Sequence, residues 1–316
     1  MWSFLIGPLS GTALPVQTSI NAKLTERLGS PLPATCVNTM MGTLTMVLLL
    51  LLTGSSFAVP KEVLTPDQWW LFLGGPSGII LVGLNMFVLP KLGSVEIGML
   101  AVFGQLLGGM VIDHFGWFGA EVIPMTWLRT LGVAVVFAGV ALVTVQPPEA
   151  AGAESRKSAP GERPRGALLW IYRLLGVISG LACALQVAVN GTLAVRLGED
   201  LAASFYSFGG GFLLAAVMTL IMALLHKLPP QHREIKNRPW MYSGGVFGVI
   251  CVVANIYLAQ EVGAGLAIIL SLIGQMAGSV IIDAVGWLGI RKQPLTTKKV
   301  LGLVIMLAGT ALISLL

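Results

Sequence analysis

Ten apolar runs, each long enough to cross a lipid bilayer, dominate this chain and leave little choice of fold class. A hydrocarbon core about 30 Å thick needs about 20 helical residues. Runs of that length lie near 2–22, 33–53, 69–90, 95–114 and 127–146, then near 167–190, 201–225, 240–260, 264–284 and 297–316. Lipid cannot hydrogen-bond to an open main chain, so such runs are expected to be helices. Trp2, Trp69, Trp70, Trp117, Trp127, Trp170, Trp240 and Trp287 fall near the ends of runs, where an amphipathic ring meets the headgroups. Only 10% of residues are charged while 55% are hydrophobic, too few charges to coat a soluble domain of this size. The 39 glycines suit packed bilayer helices, whose backbones approach through small residues. The expectation is an all-α integral membrane protein with ten transmembrane helices.

The same composition excludes other classes. The net charge of +5 is spread over short loops rather than gathered on one face, which argues against a nucleic-acid partner. Cys36, Cys183 and Cys251 each sit alone in an apolar run, and His114, His226 and His232 pair with no nucleophile or metal-ligand motif. Neither a Walker A pattern nor a GxGxxG following a strand occurs. The chain is expected to be no enzyme and to use no cofactor or metal. Its first run, without a basic flank or a cleavage site, is expected to stay as a helix.

Charge sets the direction. With the amino end outside, nearly all of the 19 lysines and arginines fall in inner loops, leaving Lys61, Arg129 and Arg196 outside and Arg173 within the sixth span. Both termini are then outside and the segment 147–166 is cytoplasmic. That segment, rich in proline, glycine and mixed charge, reads as a flexible tether. It separates a first five-helix unit, 1–146, from a second, 167–316.

The two units repeat each other. Gln17 and Asn21 recur as Gln186 and Asn190, a shift of 169, and Gly74, Gly75 and Asn85 recur as Gly244, Gly245 and Asn255, a shift of 170. The stretch from Gly104-Gln105 through Asp113 and Gly116-Trp117 to Pro124 matches Gly274-Gln275, Asp283, Gly286-Trp287 and Pro294, and Gly132 and Gly139 match Gly302 and Gly309. Five spans per unit force the second copy to enter the membrane in the opposite direction. The charges agree: the loop after the second span carries only Lys61, its counterpart Lys227, Arg233, Lys236 and Arg238. Two inverted-topology five-helix repeats can exchange conformations and so open to either side.

The segment Leu14-Pro-Val-Gln17-Thr-Ser-Ile-Asn21-Ala-Lys-Leu24, with Gly104-Gln105-x-x-Gly108 and Ile112-Asp113-x-x-Gly116-Trp117, resembles the YdcZ-type branch of the drug/metabolite transporter superfamily. The resemblance covers both units. It implies an all-helical transporter or exporter of the bacterial inner membrane whose antiparallel halves face each other. In the related small multidrug resistance proteins a first-helix glutamate binds protons and drug. This chain offers Gln17 and Asn21 instead, so proton coupling through that position does not carry over.

Two readings apply to each buried polar residue. Gln105 and Gln275, near the middle of the fourth and ninth spans, must face protein or a wet cavity. Either they tie two GxxxG-packed helices together or they bind substrate where the halves cross. Gln17 with Asn21, and Gln186 with Asn190, lie one turn apart on one face, and Asn85 and Asn255 follow the same pattern; interhelical bonding and a polar substrate path are the alternatives. Asp113 and Asp283 close the fourth and ninth spans, where a carboxylate opposes the helix dipole and wants a cation. Arg129 and Lys299 are placed to serve, as structural ion pairs or as gates. Glu96, whose counterpart is Leu266, is the candidate coupling group, with a headgroup-facing helix start as the alternative.

These residues lead to secondary transport, in the export direction, of a small organic metabolite or drug-like molecule by alternating access. Its expected partners are the lipid bilayer, a small-molecule substrate and protons or another coupling cation, in a monomer or homodimer. A passive channel, a scramblase and a non-transporting structural membrane protein are the alternatives.

Overall fold

A computed structural model describes residues 3–144, 164–262, 264–289, 292–293 and 295–314. Among them there is no strand. The helices are α1 (Ser3–Gly11), α2 (Ala13–Leu28), α3 (Pro31–Thr53), α4 (Gly74–Leu92), α5 (Ser94–Phe115) and α6 (Trp127–Thr144). The second unit supplies α7 (Ala167–Leu197), α8 (Asp200–Leu224), α9 (Gly244–Val262), α10 (Ala264–Val285) and α11 (Thr297–Ser314). All but the last three residues of the segment 147–166 lie outside the described residues.

Five stretches are long and apolar enough to cross a membrane: Pro31–Thr53, Pro66–Leu92, Ser94–Phe115, Ala167–Leu197 and Asp200–Leu224. Trp127–Val143, Gly244–Asn255 and Ile269–Val285 are shorter apolar helical stretches. The outer faces are those of a protein dissolved in lipid. Leu44, Leu48, Leu51 and Leu52 on α3 and Leu213, Leu220 and Leu224 on α8 all point outward, a display water would penalise.

Several boundaries differ from the sequence expectation, each for a local reason. The first span is interrupted at Thr12 and runs on to Leu28. Pro15 has no N–H to give the Gly11 carbonyl, and the Thr12 hydroxyl donates back to Leu9 O at 2.6 Å. Its counterpart α7 is one unbroken helix of 31 residues. At the shift of 169, Val177 and Ala184 stand where the first unit has Pro8 and Pro15. The third and eighth runs open as short 3-10 turns from Pro66 and Pro239 and become α-helical at Gly74 and Gly244. α4 and α5 are separate helices, divided at Gly93, whose φ of 88° ends one and starts the next.

The repeat is visible as reciprocal contacts between the units. A Cβ at Gly78 would come within 2.7 Å of Gln186 Nε2, and one at the equivalent Gly248 within 2.9 Å of Gln17 Nε2. Gly74 likewise leaves room only for Asn190, and Gly244 only for Asn21. Gly132 lies against Gly309, and Gly139 against Gly302, so α6 and α11 cross antiparallel on four glycines. Both units also carry the same tight turn, Gly-Trp-x-Gly, with a left-handed residue in the third position: Phe118 at φ 57° and Leu288 at φ 58°. Lipid gives no hydrophobic drive for helix association, so close backbone contact of this kind and buried polar bonds hold the bundle together.

Candidate functional site

The polar residues sort into three groups. In the first, α2 lays Gln17 and Asn21 against α3, and both donate to one acceptor: Gln17 Nε2 to Asn38 Oδ1 at 3.2 Å and Asn21 Nδ2 to the same atom at 2.8 Å. All three residues are buried. The matching position to Asn38 is Ser207, and there Gln186 Nε2 donates to Ser207 Oγ at 3.2 Å. Asn38 and Ser207 are the partners that a search for identical repeated residues passes over, because one is an amide and the other a hydroxyl. Asn21 Oδ1 and Asn190 Oδ1 have no conventional donor. Each lies where a Cβ on its facing residue, Gly244 or Gly74, would otherwise stand, so only glycine leaves room for it. These four amides knit the units together and line no cavity with the glutamines below.

The second group is a cavity at the crossing of the halves. Thr18, Asn85, Ser94, Gln105, Gln275 and Ser279 supply its polar lining, and its remaining wall is apolar or small. Gln105 and Gln275 are thus brought together, one from each unit. No hydrogen bond joins them to each other or to another side chain among the described residues. The glycine stripes beside them do not pack α5 on α10. Gly104 faces Val177 and Gly180 of α7, and Gly274 faces Pro8 of α1, so each stripe seats the first helix of the opposite unit. The cavity is about 30 Å³, room for about two waters. Asn255 does not reach it. Its Oδ1 accepts from Ser271 Oγ at 2.5 Å and its Nδ2 donates to Cys251 Sγ at 3.6 Å.

The third group lies at one end of the bundle. Glu96 is in the first turn of α5 and only 4% exposed, so it does not face headgroups. Its Oε1 accepts from Arg173 Nε at 2.9 Å, with the Arg173 guanidinium 4.8 Å from the Trp170 ring centre. Arg173 had no role in the sequence reading, since its partner is named only by the packing of α7 on α5. Asp283, also buried, accepts from the main-chain N–H groups of Ser94 at 2.8 Å and Val95 at 3.0 Å. It therefore caps α5, which accounts for a carboxylate at the unfavourable end of its own helix. Lys299 acts on Asp283 as a nearby charge and donates to Gln293 Oε1 at 3.0 Å, while Gln293 Nε2 donates to Leu92 O at 3.2 Å. The equivalent Asp113 is partly exposed, and the ion pair expected between it and Arg129 is not formed among the described residues. The Gly-Trp-Phe-Gly turn and the irregular segment 120–126 that follow α5 leave Asp113 partly exposed, so nothing forces the pair to close.

A polytopic helical bundle with amides and hydroxyls gathered at a central crossing is the architecture of a membrane transport protein. The sequence profile of the DMT_YdcZ family, described as "Putative inner membrane exporter, YdcZ", matches residues 2–142 and again residues 171–312. The chain belongs to this family, as a two-repeat member and a multi-pass protein of the inner membrane. A solved crystal structure superposes with a TM-score of 0.58 at 16% identity, over 99% of this chain and 96% of that one, which shows a shared fold alone. No curated protein matches the chain.

Proposed function

We propose that the chain is a secondary transporter working in the export direction, which carries a small organic molecule across the inner membrane by alternating access. The observation that carries this reading is the meeting of Gln105 and Gln275, equivalent residues of the two units, in one central cavity. Ten spans in two inverted repeats, with both termini outside and the 147–166 segment in the cytoplasm, complete it. The antiparallel crossing of α6 and α11 and the swapped glycine–amide contacts support the inversion. A duplicated bundle of that kind has two related conformations that differ in which side is open.

Lining drawn from both units, with equivalent glutamines facing one cavity, supports a carrier's shared site. The cluster of Glu96, Arg173, Asp283 and Gln293 closes one end and acts as its gate. Two measurements test the proposal. Reporter fusions after Leu316 should read outside, and a cytoplasmic signal would overturn the topology. A compound found by resistance screening of a deletion strain should exchange saturably in proteoliposomes. The joint Gln105→Ala, Gln275→Ala variant should insert normally and lose that exchange, and retained exchange would remove both glutamines from the path.

A further inference from the structure

The two copies of one asparagine are treated differently. Asn255 is satisfied within its own unit by the Ser271 hydroxyl and the Cys251 sulfur. At the shift of 170, the residues in those places beside Asn85 are Ala101 and Leu81. A methyl and an isobutyl group replace the hydroxyl and the thiol. Asn85 is 8% exposed and its Oδ1 has no hydrogen-bond partner. Asn85, Ala101 and Leu81 all line the central cavity. The internal partners present in one unit are therefore missing in the other at the place where a cavity lies. An unpaired buried acceptor is costly, and a structure that already contains the remedy at the equivalent site has withheld it here.

The rest of the lining narrows the chemistry. Among the described residues no lysine, arginine, aspartate or glutamate lines the cavity, so a charged ligand would enter a low-dielectric site without a counter-ion. No aromatic ring among them lines it either, so a bare organic cation would find no π-face. What the wall offers is the side chain of Asn85, whose unpaired Oδ1 is itself buried, together with the amides of Gln105 and Gln275 and small hydroxyls, beside an apolar remainder.

We infer that Asn85 is the specificity residue of the central site and that a turn of its side chain presents Oδ1 to an uncharged molecule that donates an O–H or N–H. This rests on the transport reading for the site's use, though not for its chemistry. The test uses the full-length protein in detergent and probes small enough for a space of about two waters: formamide and ethylene glycol as neutral donors, formate and methylammonium as charged ones. Formamide or ethylene glycol should raise the unfolding midpoint saturably, and the charged probes should not.

Ala101→Ser, which restores the hydroxyl found at Ser271, should raise the midpoint of the unliganded protein and weaken the neutral-probe response at least tenfold. Asn85→Leu should abolish the response while leaving a folded, monodisperse protein. A saturable response to the charged probes, no response to either neutral probe, or a response unchanged by Ala101→Ser would each overturn the inference. Proteoliposome exchange separates it from the transport reading. Neutral binding without exchange removes transport and keeps the site, whereas saturable exchange restricted to charged compounds removes this inference and keeps transport.

Discussion

The two equivalent aspartates offer a controlled comparison inside one molecule. Replacing Asp283 by alanine strips the cap from α5 and leaves the Ser94 and Val95 N–H groups without their acceptor. Each buried N–H left unpaired costs about 1–3 kcal/mol. The cost of burying the carboxylate, which the variant no longer bears, offsets part of this. A net loss of about 3 kcal/mol follows. Domains of 150–250 residues shift their midpoint by about 2–4 °C per kcal/mol, less for longer chains, so the expected drop is about 6 °C. Asp113→Ala removes a partly exposed carboxylate that makes no ion pair among the described residues, worth about 0–1 kcal/mol and under about 2 °C. Thermal unfolding in detergent, followed by tryptophan fluorescence, measures both. Equal shifts for the two variants would refute the capping argument.

Two further outcomes follow from packing. Glu96→Leu alone leaves Arg173 buried without its carboxylate and should cost about 3–5 kcal/mol, whereas Glu96→Leu with Arg173→Phe, the residues found at the equivalent positions 266 and 4, should restore most of the midpoint. A double variant as unstable as the single would show that the pair is not a self-contained unit. Gly245→Ala drives a methyl into the Asn38 carbonyl and the Gly42 amide and should lower the yield of monodisperse protein, while Gly109→Ala meets nothing within 4 Å and should be neutral or stabilising by up to about 1 kcal/mol. Size-exclusion profiles at matched expression decide this, and similar behaviour of the two would contradict the glycine contacts.

Helices were readable from the chain because twenty consecutive apolar residues have few other fates, and the duplication because Gln17, Asn85, Asp113 and their copies keep register. The cavity was partly readable: mid-span glutamines must find protein or water, and Gln105 and Gln275 do meet. Partners set by packing between units were not. Nothing near Arg173 in the chain names Glu96, since 77 residues separate them. Nor does Asp283 announce that it caps a helix 189 residues away. Asn38 was missed for a different reason, because its copy is Ser207 and function had shifted between residue types. The change from 3-10 turn to α-helix at Gly74 and Gly244 leaves no mark in hydropathy, since turn and helix belong to one run.

The interruption at Thr12, absent from α7, means that the two halves are not interchangeable. Pro8 and Pro15, the latter on the wall of the central cavity, each remove a main-chain N–H from the first helix, whereas Val177 and Ala184 keep theirs at the same places in its twin. Were the halves to exchange shapes as proposed, one rod would yield and the other resist. The two poses of that proposed cycle would then differ in energy with nothing bound, and the lower one would be the resting pose.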